Sequence, residues 1–135
     1  MNANIDYAEV TNFLQKYYEK EYEGYDVSFE LKKNKRTGQC HGWFEGDTYE
    51  YNEMYGMVSI KRRFNGEWNS KRLSFSVDDS IYVSKGELER IIISLFNESI
   101  GDEPFKAISV YPGDEYLVVS LEKTNVKKLV LAKNS

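Results

Sequence analysis

Cysteine and histidine are nearly missing from this sequence. Its 135 residues include one of each, Cys40 and His41, and the two are neighbours. A single thiol cannot close an internal disulfide, so a reducing, cytoplasmic setting is expected. One Cys and one His are too few for a zinc site, and no spacing repeats a zinc-ligand pattern. Adjacent residues of a strand point to opposite faces, so this pair is not a thiolate–imidazole dyad. Long apolar runs are missing as well: nothing approaches the ~20 residues that cross a bilayer. The first ten residues hold neither a basic stretch nor an apolar one, so no secretory leader and no membrane contact are expected. Glycine-rich phosphate loops do not occur. Neither an enzyme nor a bound cofactor is therefore expected.

What the chain has in plenty is tyrosine: 11 of 135 residues. That exceeds what one core of this size needs, so some tyrosines are expected on a surface that meets a partner. Charge is the second feature. The net is −4, yet residues 57–77 alone carry +4, with Lys61, Arg62, Arg63, Lys71 and Arg72 against Glu67. Residues 32–38 are also +4, from Lys32, Lys33, Lys35 and Arg36. Acidic stretches lie between and beyond them, which predicts a dipolar surface.

The elements follow from periodicity and breakers. Residues 6–22 predict a helix, with Val10, Phe13, Leu14, Tyr17 and Tyr18 on one face, Asp6 and Glu9 at capping-box spacing, and Gly24 beyond. Residues 25–32 alternate as a strand, 34–38 read as a basic turn, and 39–45 as a second strand with a bulge at Gly42. A turn at Gly46-Asp47 follows, then residues 49–55, which fit a strand or an ordered loop. Residues 57–77 predict a hairpin about Asn65-Gly66, since both positions tolerate positive φ. A helix from Ser84 to Gly101 has its capping box in Ser84 and Glu87. Strands at 105–111, 116–122 and 126–132 close the chain, with a type II turn at Pro112-Gly113. The expected architecture is one α+β domain: a single, mainly antiparallel sheet with two amphipathic helices on one face, in the order helix, four or five strands, helix, three strands.

Two surfaces stand out. In the predicted hairpin, Val58, Ile60, Leu73, Phe75 and Val77 share one face; Lys61, Arg63, Trp68 and Arg72 share the other. With Lys35 and Arg36 added, this is a basic patch able to contact phosphates and stack a base, or simply the polar side of a hairpin. The second surface is acidic and aromatic: Tyr49, Tyr51 and Tyr55, framed by Asp47, Glu50 and Glu53. Tyrosine gives large contact area at low entropy cost, which suits protein recognition. Asp47, Glu50 and Glu53 lack the alternating ligands and central glycine of a calcium loop, so a solvated acidic segment is expected rather than a metal site.

In general layout the chain resembles small bacterial immunity proteins and phage-encoded inhibitors, and a composition rich in Lys, Asn, Ile and Tyr suits an AT-rich bacterial, phage or mobile-element genome. The resemblance implies a cytoplasmic inhibitor that acts by contact with another protein. The competing reading is a nucleic-acid or nucleotide binder that uses the basic hairpin. A net charge of −4 counts against it, because long-range repulsion opposes a polyanion.

Overall fold

A computed structural model describes residues 1–39 and 48–124. The elements are β1 (Asn2–Asp6), α1 (Tyr7–Glu21), β2 (Asp26–Gln39), β3 (Thr48–Trp68), β4 (Lys71–Val83), α2 (Lys85–Ile100), β5 (Phe105–Pro112) and β6 (Tyr116–Lys123). The class is α+β, and every strand pairing among the described residues is antiparallel. Two three-stranded sheets, β1-β6-β5 and β2-β3-β4, take the place of the single sheet expected. A strand also precedes the first helix. β1 has only Ala3 and Ile5 as apolar residues, so it gives almost no signal alone; it forms by pairing Ala3 with Val119 and Ile5 with Leu117.

Both helices and both sheets feed one core. α1 buries Val10, Leu14 and Tyr18, spaced four apart; α2 buries Leu88, Ile91 and Ile92. They meet Met54 and Val58 from one sheet and Leu117 and Val119 from the other, all fully enclosed. Each such side chain stabilises the fold by about 1.5–3 kcal/mol through area removed from water. The α2 capping residue acts as expected: Ser84 Oγ accepts the Glu87 N–H at 3.3 Å, and Gly101 takes φ 61° past the last turn. Asp6 makes no side-chain cap to α1; its backbone is already committed to β1, opposite Tyr116.

Each helix also closes a strand edge with a carboxamide. Gln15 Oε1 accepts the Phe29 N–H at 2.7 Å, and its Nε2 donates to the Val27 carbonyl at 2.7 Å. Asn97 does the same for Ala107, accepting its N–H at 2.7 Å and donating to its carbonyl at 3.3 Å. These amides stand where a further strand would pair.

The long strands depart most from expectation. Residues 34–38 are not a turn: they continue β2, which pairs with β3 from Asp26↔Lys61 to Gln39↔Thr48. Residues 49–55 are strand, the first part of β3. Asn65-Gly66 is not the hairpin turn either. β3 runs through it, and the chain reverses at Asn69 (φ 53°) and Ser70 (φ 63°), a two-residue turn with both positions left-handed. This register faces Val58 with Ile81 and Phe64 with Phe75, and gives a ladder of thirteen pairs from Gly56↔Val83 to Trp68↔Lys71. A turn at Asn65-Gly66 forgoes the outer part of that ladder. Between β5 and β6 Gly113 lacks the positive φ of a type II turn. The bend needs glycine for another reason: a Cβ there would lie 2.6 Å from the Tyr116 carbonyl oxygen. The expected strand 39–45 beyond Gln39, Cys40, His41, Gly42, the Gly46-Asp47 turn and the strand 126–132 lie outside the described residues.

Candidate partner-binding surface

Alternation along β2, β3 and β4 divides the second sheet into two faces. Phe29, Met54, Val58 and Val83 look into the core beneath the helices. The opposite face has no element packed over it among the described residues. It carries Tyr49, Tyr51 and Tyr55 as expected, and adds Met57 from the same strand and Tyr82 from β4. Tyr49, Tyr51 and Tyr82 are 50%, 40% and 62% exposed, so they are not core residues beneath α1. The rings associate in pairs: Tyr49 with Tyr51 at 5.8 Å between centroids, and Tyr55 with Tyr82 at 5.5 Å. Tyr49 also lies across Gly38, its β2 partner, where a Cβ would meet the ring at 2.4 Å.

Glu50 is not part of this face. Neighbours in a strand point apart, and Glu50 turns to the other side to meet Lys35 at 3.4 Å. Asp47 lies outside the described residues. The acid that does join the tyrosines is Glu53, in a charge-assisted hydrogen bond with Arg36.

The basic patch does not assemble. Moving the turn from 65–66 to 69–70 places Trp68 on β3, so its parity reverses; it shares a face with Phe64, not with Lys61, Arg63 and Arg72. Lys35 and Arg36 are neighbours on β2 and face opposite ways. Arg36 stands opposite Tyr51, ten residues along the ladder from Lys61, or about 30 Å. The cations of the outer face are also balanced. Among the described residues Lys32, Arg36, Lys61, Arg63 and Arg72 share it with Asp26, Glu30, Glu53, Glu67 and Asp78, five of each sign. Lys32 pairs with Glu30 at 2.6 Å and Lys61 with Asp78 at 4.0 Å, while Arg72 stands opposite Glu67.

A polar joint holds the two sheets together beside this face. Asn52, buried, donates both amide hydrogens, to the Pro112 carbonyl at 3.0 Å and to Asp114 Oδ1 at 2.9 Å. Lys33 Nζ donates to the Asp114 carbonyl at 2.6 Å and lies 4.5 Å above the Tyr7 ring; the Tyr7 hydroxyl donates to the Gly113 carbonyl. The Asn52 bond, with Lys35 and Lys33 nearby, holds the Asp114 carboxyl below its ordinary value. Burial, then Asp114 and Tyr111, raise the Tyr7 phenol. No fully buried side-chain nitrogen or oxygen among the described residues lacks a partner, so the cluster reads as a fastening. No group of three or more metal-ligating side chains occurs among the described residues, and no helix among them is long and apolar enough to cross a membrane.

Sequence reasoning missed Tyr82 and Met57. Tyr82 alternates with Asp78 and Ser80, a pattern visible in the chain, but its place beside Tyr55 depends on the β3–β4 register. No protein-family model matches the chain, and no curated protein and no solved structure matches it.

Proposed function

We propose that the protein is a non-enzymatic binding module that acts by contact with another protein, in the manner of a small inhibitor or immunity protein, through the outer face of the β2-β3-β4 sheet. The observation that carries this reading is the tyrosine set on a face with nothing packed over it among the described residues: Tyr49, Tyr51 and Tyr82, exposed, and the half-buried Tyr55. Tyrosine rings on a rigid sheet lose little entropy on binding, and each offers an apolar body with a hydroxyl at its end. The face is large enough. Its strands are 14, 21 and 13 residues long; at about 3.3 Å per residue and about 4.8 Å between strands they present about 760 Å², close to the ~800 Å² per partner of an ordinary protein interface.

Charge separates this reading from a nucleic-acid one. A polyanion is held by unbalanced cations, each phosphate contact adding about one unit of salt dependence. Among the described residues of this face five cations are balanced by five carboxylates. A balanced, tyrosine-rich surface suits a protein partner with its own mixture of charges.

The test is capture of a stoichiometric protein partner by the tagged chain, compared with a Tyr51→Ala/Tyr82→Ala variant. The variant keeps its fold by circular dichroism and binds the partner at least tenfold more weakly. Unchanged capture by the variant, or an oligonucleotide that binds the wild type with a steep salt dependence, sinks the proposal.

A further inference from the structure

β2 begins at Asp26, opposite Lys61, so from residue 62 outward the second sheet continues as two strands only. The row that β2 would occupy beside residues 63–68 of β3 is empty among the described residues. Arg62 marks its inner end, with its guanidinium 3.2 Å from where a Cβ on Gly24 would lie and 5.4 Å from the centre of the Tyr25 ring. Two other edges carry a side-chain plug: Gln15 on the free side of β2 at Val27 and Phe29, and Asn97 on that of β5 at Ala107. At β3 the Tyr25 ring meets Phe64 edge-on at 6.2 Å, and beyond it no side chain among the described residues bonds to the backbone of residues 65–68 on that side. Two-stranded ribbons are marginal in water, and a third strand adds both ladder hydrogen bonds and apolar cover.

The side chains specify what kind of strand fits. On one face of the ribbon Phe64 stacks on Phe75 at 5.1 Å, Trp68 is 71% exposed and Leu73 is 44% exposed. On the other face Arg63 stands opposite Ser76 and makes no ion pair among the described residues. Glu67 lies further out, opposite Arg72. The outer edge of β4 is also open among the described residues, but Asp78 and Asp79 stand on it and Asp79 already accepts the Ser80 N–H at 2.8 Å, so it repels the guest that Arg63 attracts.

We infer that residues 63–68 of β3 form an edge for strand addition that takes an extended segment of a partner protein in which apolar and acidic residues alternate. The apolar residues lie beside Phe64 and Trp68, the carboxylates beside Arg63, and the backbone pairs with β3. A nucleic-acid strand fits less well. Among the described residues of this edge Trp68 alone offers an open ring face for base stacking, because Phe64 is engaged by Phe75, by Tyr25 and by the Arg62 guanidinium 4.4 Å from its centre. The inference rests on the reading of the chain as a protein-binding module and adds to it a second contact with its own chemistry.

The probe is a fluorescein-labelled eight-residue peptide of alternating Glu and Val, titrated into the full chain and followed by anisotropy. It binds, and the same peptide with Lys for Glu, or N-methylated on every second amide, binds at least tenfold more weakly. Arg63→Glu and Trp68→Ser, both exposed positions checked for fold by circular dichroism, each weaken binding at least tenfold. Equal binding of the acidic and N-methylated peptides, wild-type binding by Arg63→Glu, displacement of the peptide by a twenty-residue oligo(dT), or no binding at millimolar concentration overturns the inference. The partner-capture assay separates the two readings. Capture that depends on Tyr51, with no peptide binding, overturns the edge alone. Peptide binding with capture unaffected by Tyr51→Ala supports the edge and overturns the tyrosine face.

Discussion

Phe29 donates its backbone N–H to the side-chain oxygen of Gln15 at 2.7 Å, and Gln15 returns a bond to the carbonyl two residues earlier, at Val27. A helix side chain thus completes the pairing of an edge strand. Gln15→Ala removes both partners from half-buried backbone groups and costs about 1–3 kcal/mol. Gln15→Glu keeps the acceptor but loses the donor to Val27, so it also destabilises. The corresponding change at the other edge, Asn97→Ala, has a similar cost, and because the two sites are separate the double variant is additive within about 0.5 kcal/mol. Urea denaturation measures the free energies. Hydrogen exchange at the Phe29 and Ala107 amides reports which edge has opened.

The hairpin turn gives a prediction that tells two registers apart. With the reversal at Asn69-Ser70, both residues hold positive φ, and Ser70 is a strained choice there. Ser70→Gly stabilises by about 0.5–1 kcal/mol, and Ser70→Ile destabilises by more than 1 kcal/mol. Gly66 lies within β3 with no atom within 4 Å of an added Cβ, so Gly66→Ala is neutral or slightly stabilising. A turn at Asn65-Gly66 reverses the ranking, with Gly66→Ala the damaging change. Thermal melts of the three variants decide it.

That contrast also marks what could be read from the chain. The helices were legible because each carries its own period and, for α2, its own cap at Ser84 and Glu87. The faces of β3 up to Phe64 were legible because alternation survives any even shift of register. Register itself was not. Asn-Gly is the stronger local turn signal, but the longer ladder that brings Phe64 opposite Phe75 prevails over it, and this is a long-range effect. Trp68 therefore changed strand and face, and the basic patch went with it. β1 was illegible for the same reason: Asn-Ala-Asn-Ile-Asp becomes a strand only because β6 lies alongside it. Of the tyrosine face, Tyr49, Tyr51 and Tyr55 follow from spacing alone, whereas Tyr82 needs the fold.

Packing under the sheet sets a third prediction. Gly56 sits where β3 passes beneath Phe29 and Leu88; an added Cβ would lie 2.7 Å from the Phe29 ring and 3.4 Å from a Leu88 methyl. Gly56→Ala overpacks the core and costs about 1–3 kcal/mol. Phe29→Leu opens space at the same point and recovers part of that loss, so the double variant is more stable than the sum of the singles. A double-mutant cycle by urea denaturation checks the coupling. Simple additivity contradicts it.

In acid, the sheet-to-sheet joint is the place to look. Asp114 is held below its ordinary 3.8, first by the Asn52 hydrogen bond and then by Lys35 and Lys33. A depressed folded pKa means that its contribution is present above the unfolded value and is lost as pH falls below it. The stability gap between wild type and Asp114→Ala is therefore constant near neutrality and shrinks below about pH 4. In an Asn52→Ala background that acid-dependent part of the gap largely disappears, because the chief cause of the shift is gone. Denaturation midpoints from pH 2.5 to 7 give the curve.

In alkali the sign is opposite and the residue is Tyr18. Burial, and next the nearby Glu87, push its phenol up to about 12 from 10.0. A raised folded pKa means that the fold favours the neutral ring. Stability is full below the unfolded value, falls from about pH 10 upward, and has lost this contribution by about pH 12. Tyr18 is a core residue, 6% exposed, stacked on Phe29 at 5.6 Å. Tyr18→Phe keeps the stacking and removes the titration, so it folds normally at pH 7 and resists alkali better than wild type. Its stability-versus-pH slope between pH 10 and 12 is shallower by up to one proton. A slope identical to wild type places the alkaline transition elsewhere, with Tyr7, also raised by burial and by its neighbour Asp114, the next residue to substitute.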